Sequence, residues 1–199
     1  MSPDLDRHAL RSRLRGSRRS VPPATRIAAA ERLAELLLAL PFATATATGR
    51  VAGYWAMDGE IGLHAWQMRL PPSLNYCLPV LNHDGRLRFA PWRTGEPLVT
   101  NRYGIPEPDL PASALLEPAG MELVVVPLVG FDVRCHRLGM GGGWYDRSFQ
   151  FRHAQAAPPW LVGAAFANQQ LNAIDAEAWD VTLDAVCSEN ATYLAEAHA

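Results

Sequence analysis

The order of apolar and polar positions divides the chain into segments of different period. Residues 4 to about 18 read as a helix closed off by Pro22-Pro23, and an Ala- and Leu-rich helix follows to about Leu40, stopping at Pro41. "RVAGYWAM" (50–57) reads as a strand, with Gly53 and Tyr54 inside the apolar run, and "LHAWQMRL" (63–70) as a helix. "NYCLPVL" (75–81) and "LRFAPW" (87–92) are short apolar or alternating runs around the turn "HDG". "ELVVVPLVGFD" (122–132) is the strongest strand signal, a continuous β-branched run of the kind buried on both faces of a sheet. A helix is expected to start near Tyr145, and "WLVGAAFA" (160–167) and "VCSENATYL" (186–194) read as further strands.

Strands alternating with helices predict an α/β fold: a single three-layer domain over residues 1–199, with a mostly parallel central sheet flanked by helices. There is no internal repeat and no low-complexity segment. The stretch from about Arg93 to Gly120 is rich in Pro and Gly, and a connection of that length in a compact domain is expected to serve the function.

Composition narrows the class. The chain is 49 % hydrophobic and 19 % charged, as a globular protein is, and its net charge of −2 gives no global basic field for a nucleic acid. All 18 basic residues are arginine, and six of them fall between Arg7 and Arg19 with no acid among them. Cys77, Cys135 and Cys187 are odd in number, far apart and without metal-ligand spacing, which argues for a reducing compartment. There is no signal-peptide core and no apolar run long enough to span a membrane, so a cytoplasmic location is expected.

The densest chemistry lies in "RLGMGGGWYDRSF" (137–149). A strand, a glycine-rich turn and a helix form the arrangement that binds phosphate in many α/β proteins. Glycines permit positive φ and let backbone N–H groups approach an anion with no Cβ in the way. The helix start adds partial positive charge, and Arg137 before the run and Arg147 after it add guanidinium donors. The run lacks the Gly-Lys-Ser/Thr ending of a P-loop and the spacing and distal acid of the dinucleotide fingerprint.

On the first helix Arg7, Arg11, Arg15 and Arg18 fall within about 80° of one another, with Leu10 and Leu14 beside them. The stripe therefore borders the face expected to be buried. Four arginines together repel unless an anion or acids meet them. The stripe is read either as a solvated face or as an anion contact; a nucleic-acid patch lacks interleaved aromatic residues. Glu60 follows the strand at 50–57, where ligands of open α/β sheets gather, and is otherwise a loop acid. Asp146 and Asp180 are carboxylates suited to Mg²⁺, or else a helix N-terminal acid and a cap. Trp144 and Tyr145 are flat surfaces for stacking or for core packing. His136, Cys135 and His153 read as structural, and no pairing of nucleophile and base stands out.

The combination "VVVPLVGFD" followed by "RLGMGGGWYDR" resembles the signature of the 5-formyltetrahydrofolate cyclo-ligase family. "RHALR", "GYWAMDGEIG", "YGIPEP" and "GAAFANQQLNAIDAEAWDVTLDAVCSE" resemble further family stretches in order, so the likeness spans roughly residues 7 to 189. It implies that ATP phosphorylates the formyl oxygen of 5-formyltetrahydrofolate. The neighbouring folate amine then closes the ring, leaving 5,10-methenyltetrahydrofolate, ADP and phosphate. It implies ATP contacts from Arg7, Arg11 and the whole run Arg137, Leu138, Gly139, Met140, Gly141, Gly142, Gly143, Trp144 and Tyr145. Glu60, Met140 and Trp144 would hold the reduced folate, with or without a polyglutamate tail, and Asp146 and Asp180 would hold Mg²⁺. Arg137 and Gly141 would position and stabilise phosphate, with no reacting side chain. A monomer acting on small molecules, without nucleic acid or membrane, is expected. Gly142 stands where the family often has lysine, Trp144 where it often has tyrosine, and Asp175 where proline is usual.

Two other classes compete. One is a non-catalytic nucleotide- or RNA-binding protein using the arginine helix and glycine run, disfavoured because Glu60, Asp146 and Asp180 would repel a nucleic-acid backbone. The other is a phosphosugar isomerase or acyl-CoA transferase on a similar sheet, for which no base or nucleophilic Glu stands out.

Overall fold

The computed structural model describes residues 3–45 and 48–196; the two extremes of the expected 1–199 span lie outside them. Helix α1 (Pro3–Arg19) and helix α2 (Pro23–Leu38) are separated where the prolines require it: Pro22 is extended, and Pro23 takes the first helical position. Pro41, expected only as a stop, also opens the short α3 (Pro41–Ala45), since a proline in a first turn forgoes no intrahelical N–H bond. There follow β1 (Gly49–Ala52), α4 (His64–Arg69), β2 (Leu74–Leu81) and β3 (Leu87–Pro91). The Pro- and Gly-rich stretch holds a small hairpin, β4 (Leu98–Thr100) and β5 (Pro106–Pro108). The rest is β6 (Leu123–Pro127), a ribbon of β7 (Gly130–Phe131) and β8 (Arg137–Leu138), α5 (Trp144–Phe149), β9 (Trp160–Ala164), β10 (Ala185–Cys187) and β11 (Thr192–Leu194).

Four expected strands fall short by three or more residues: the run 160–167 ends at Ala164 ahead of a 3₁₀ turn at Ala167–Gln169, and the other three have local reasons as follows. The run 122–132 breaks after Pro127, which has no N–H with which to continue a central ladder, and Gly130–Phe131 pairs with β8 instead. The run 186–194 folds back on itself, because the Ser188 hydroxyl accepts from the N–H groups of Asn190 and Ala191 and makes a turn. The run 50–57 leaves the sheet after Ala52, and the residues beyond it line a cleft.

The sheet has the order β11-β10-β9-β6-β1-β2-β3. The five central strands are parallel, and an antiparallel hairpin closes each edge. Strand β6 is buried on both faces. Leu123 and Val125 face α2 and α4, packing with Leu33, Leu37 and Trp66. Val124 and Val126 face the opposite way, toward Phe131, Phe149 and Leu183. One face is thus covered by helices, the other by the short α5 and irregular chain. Helix α1 lies on neither face; Leu14 joins Val129, Leu138 and Ile174 in a small core beyond the C-terminal ends of the strands.

That placement matters because the chain passes from β1 to β2 on one side and crosses to β6 on the other. The reversal makes a crevice at the carboxyl ends of β1 and β6, the position where open α/β sheets bind ligands.

Candidate active site

A cleft of about 1030 Å³ opens at that crevice. Its floor is formed by residues just past β1 (Tyr54 to Glu60) and just past β6 (Pro127, Leu128); α1 supplies one wall and the glycine run another. Arg7, Arg11, Arg15 and Arg18 all line it, so the arginine stripe and the glycine turn, more than 110 residues apart, share one cavity.

The arginines divide into two groups by partner. Arg15, Arg18 and Arg19 converge on Asp58. Arg15 Nε donates to Asp58 Oδ2 at 2.7 Å, Arg18 Nη2 donates to the same oxygen at 3.1 Å, and Arg19 Nε donates to Oδ1. Arg18 is fully buried; it also donates to the carbonyls of Asp58 and Leu128 and lies 3.5 Å from Glu60 Oε1. Burial by itself would raise the Asp58 carboxyl, but the hydrogen bonds of Arg15 and Arg19 and the nearby charges hold it below its ordinary value. Asp58 takes a left-handed backbone (φ +51°) in the turn that presents it. The second group faces the glycine run. Arg11 Nε donates to the Gly139 carbonyl at 2.9 Å, while Arg7 donates to the Asp175 carbonyl and lies 3.6 Å from Glu177. The departure at Asp175 therefore leaves its main chain in use as an anchor for Arg7.

Only two glycines of the run need their freedom for backbone shape, Gly141 (φ +94°) and Gly143 (φ +64°). Gly139 does not, and a Cβ there would meet nothing within 4 Å. Its bareness serves open space in the cleft rather than packing, as a cradle for a ligand would require. Helix α5 after the run is only six residues long and gives way to a 3₁₀ turn, so the helix-start contribution is limited to first-turn amides.

Glu60 is buried at the bottom of the cleft, its Oε2 accepting from the Met57 N–H at 2.9 Å. Burial pushes its carboxyl above the ordinary range, against the lowering effect of that bond and of Arg18. Its charge reaches Tyr54 and Tyr145, whose hydroxyls are raised mainly by burial and further by Glu60. Arg137 is 6 % exposed, donating to the Val181 carbonyl and to Asp146 Oδ1; the same oxygen accepts from the Val181 N–H at 3.2 Å. Asp180 Oδ2 accepts from the Glu177 N–H at 3.0 Å, the capping geometry that was one reading of it, and its residue still lines the cleft. Met140 (53 % exposed) stands at the mouth, and Leu138 packs inward against Leu14. Trp144 is partly buried, edge-on to Tyr103, and Tyr145 stacks on Phe149 while also lining the cleft, so packing and ligand contact coexist there.

The motif acids outside the cleft are scaffold. Buried Asp132 accepts from the N–H groups of Arg134, His136 and Ile174, fastening the β7–β8 turn that aims Arg137. Glu107 of "YGIPEP" accepts from the Leu81 N–H and from Asn101, fixing the β4–β5 hairpin so that its tip residue Tyr103 meets Trp144. Gln169 donates to the carbonyls of Leu128 and Val129 at the end of β6. The cysteines are buried, which pushes the Cys77 and Cys135 thiols up to about 12 and Cys187 to about 11, so none is a thiolate at neutral pH.

Asp58, Tyr103 and Arg102 have no place in the sequence reading of the site. A signal for Asp58 was present, an Asp-Gly turn following a strand, but nothing local pairs it with arginines 40 residues away.

Similarity to known proteins agrees with this geometry. The chain is 37 % identical over 136 residues to a 5-formyltetrahydrofolate cyclo-ligase of Haemophilus influenzae, covering 67 % of this chain and 72 % of that one. It is 32 % identical over 192 residues to one of Mycolicibacterium smegmatis, covering 92 % and 93 %. The fold is that of Aquifex aeolicus 5,10-methenyltetrahydrofolate synthetase, with a TM-score of 0.79 at 23 % identity over 96 % of this chain and 93 % of that one. The profile of the family described as 5-formyltetrahydrofolate cyclo-ligase matches residues 4–189. With matches of this extent, and with the glycine turn and arginine helix in one cleft, the chain belongs to the 5-formyltetrahydrofolate cyclo-ligase family.

Proposed function

We propose that this chain carries out the family's reaction, the ATP-dependent cyclisation of 5-formyltetrahydrofolate to 5,10-methenyltetrahydrofolate with release of ADP and phosphate. The observation that carries the reading is the shared cleft: arginines of α1 and residues 139–143 of the glycine run line one volume at the sheet's switch point.

The formyl oxygen attacks the γ-phosphorus and ADP leaves. The neighbouring amine adds to the activated carbon, loses its proton, and phosphate departs with the former formyl oxygen. Each step needs position and charge balance more than a reacting side chain. Backbone N–H groups of Gly139 to Gly143 would hold the moving phosphoryl group. Arg7 and Arg11 would offset triphosphate charge, and Arg137 would do so from the run's own start. Glu60, ionised, would accept from the pterin's amino and ring N–H donors, with Met140 and Trp144 against the ring faces.

Mg²⁺ fits the residues present. Among the described residues no cluster of three or more His, Cys, Asp or Glu is placed to hold a metal. Asp146 and Asp180 nevertheless line the same cleft, and no hydrogen bond is formed at Asp146 Oδ2 or Asp180 Oδ1 among those residues. Two carboxylates completed by phosphate oxygens and water are the habitual shell of nucleotide-bound Mg²⁺, which would supply charge neutralisation to the triphosphate. The RNA-binding alternative is weakened, because Asp58 takes up two of the four stripe arginines, Arg15 and Arg18, together with Arg19. No described helix is long and apolar enough to cross a membrane.

The test is the purified protein with Mg-ATP and 5-formyltetrahydrofolate. Near-ultraviolet absorbance of the methenyl product is expected to grow with ADP release; a folded protein giving neither contradicts the proposal.

A further inference from the structure

The glycine run carries no cationic side chain; Met140 is its only residue other than glycine. Two guanidinium groups stand against it from opposite elements. Arg11 of α1 lies 3.7 Å from where a Cβ of Gly141 would be, and Arg147 Nη1 of α5 lies 2.6 Å from the Cβ position of Gly143. Both line the cleft.

These two differ from the other cleft arginines. Arg15 and Arg18 are paired with Asp58, Arg137 with Asp146, and Arg7 lies beside Glu177. Among the described residues Arg11 and Arg147 face no carboxylate; the hydrogen bond each makes goes to a carbonyl, Gly139 for Arg11 and Gly85 for Arg147. A carbonyl orients a guanidinium without cancelling its charge. For Arg147 the orientation is well defined. Nε donates to Gly85 in the β2–β3 turn at 2.8 Å, and the group lies over the Trp144 ring at 5.4 Å, with Arg102 over the same ring at 5.6 Å. With Nε engaged on Gly85 and Nη2 still beside that turn, 3.8 Å from the Gly85 Cβ position, Nη1 is the atom that reaches Gly143.

We infer that Arg147 is a phosphate-contacting residue: with Arg11 on the far side of the glycine turn, it grips the triphosphate of the nucleotide. The inference rests on the ATP-dependent reading but concerns a side chain that the reading does not require. An uncompensated guanidinium beside bare amides offers a planar fork to phosphate oxygens, and the Trp144 ring supports it from one side.

The competing role is a tie between the β2–β3 turn and α5. Arg147→Gln separates the two, since it keeps an N–H for Gly85 and removes the charge. The measurements are calorimetric binding of Mg-ATP in the absence of folate, KM for ATP and for 5-formyltetrahydrofolate, and Tm. The Gln variant is expected to bind Mg-ATP about tenfold more weakly and to raise the ATP KM in proportion, the scale of one charge-assisted hydrogen bond. Folate KM and Tm should stay near wild type, and Arg147→Lys should keep part of the nucleotide binding.

Unchanged nucleotide binding in the Gln variant overturns the inference. So does a fall in Tm with both KM values rising together, or equal losses in the Lys and Gln variants. The binding arm needs no turnover. A wild-type protein that binds Mg-ATP but forms no methenyl product refutes the cyclisation reading, and the Gln variant still decides Arg147.

Discussion

At the scale of single residues the cleft is organised by two acids only two positions apart in sequence. Asp58 gathers arginines, whereas Glu60 has one backbone N–H and the edge of Arg18 as its partners. Asp58 is bonded by Arg15, Arg18 and Arg19, so removing its charge leaves the buried Arg18 facing Glu60 alone. Asp58→Asn is expected to cost about 3 kcal/mol in urea denaturation, the scale of breaking a buried pair by one partner. The pH dependence follows from the depressed carboxyl. The stabilisation is fully present above the ordinary carboxylate value and is lost as pH falls through the lower folded value. Stability profiles of wild type and Asp58→Asn should therefore converge at low pH. Glu60 has the opposite shift, because burial raises it. If its ionised form accepts from the pterin, folate KM rises as pH drops through that raised value. Glu60→Gln should raise folate KM by roughly tenfold, leave ATP KM near wild type, and remove the acid limb; one charge-assisted bond is worth that much. Equal changes in both KM values would return Glu60 to a structural role. The place of Glu60 in the cleft was legible in the sequence because it follows a strand and sits in a family motif. Asp58 was not, since its meaning lies in contacts with α1.

At the scale of elements the glycine run and the segments around it show where pattern reading succeeds and where it stops. Helices α1, α2 and α4 follow from periodicity and proline punctuation, and β6 follows from its unbroken apolar run. The misjudged lengths occur where regular structure ends, at Ala52, Pro127, Ala164 and Ser188. The stretch after Arg93 brings Asn101, Tyr103 and Ile105 to the cleft, but its hairpin was hidden because Pro106 and Pro108 disguise a two-stranded edge. Within the run, Gly143 combines a left-handed backbone with a close approach to Arg147. Gly143→Ala is therefore expected to destabilise by about 1–2 kcal/mol from backbone strain alone. It should also displace Arg147 and weaken Mg-ATP binding, whereas Gly139→Ala, with no protein atom in the way, should lower ATP affinity with little change in Tm. A Gly139→Ala protein with wild-type ATP affinity would show that no ligand comes close to that backbone.

At the scale of the whole molecule, function follows from topology. A parallel sheet that reverses between β1 and β6 leaves a crevice, and the chain fills its rim from both ends: α1 from the beginning, residues 174 to 180 from near the end. The fold class and the motif resemblance could be read from sequence because they rest on local runs. The convergence of α1 with the glycine run was implied only by the resemblance, because no local run shows Leu14 docking beside Leu138 and Ile174. That convergence is the central claim, and Arg11 tests it most directly, since it reaches from α1 to the Gly139 carbonyl. The decisive measurement is kcat/KM for Mg-ATP in the cyclisation assay for Arg11→Ala against wild type. The account predicts a loss of at least about tenfold, with folding intact and partial recovery on adding free guanidinium. A variant that turns over as wild type does would contradict it.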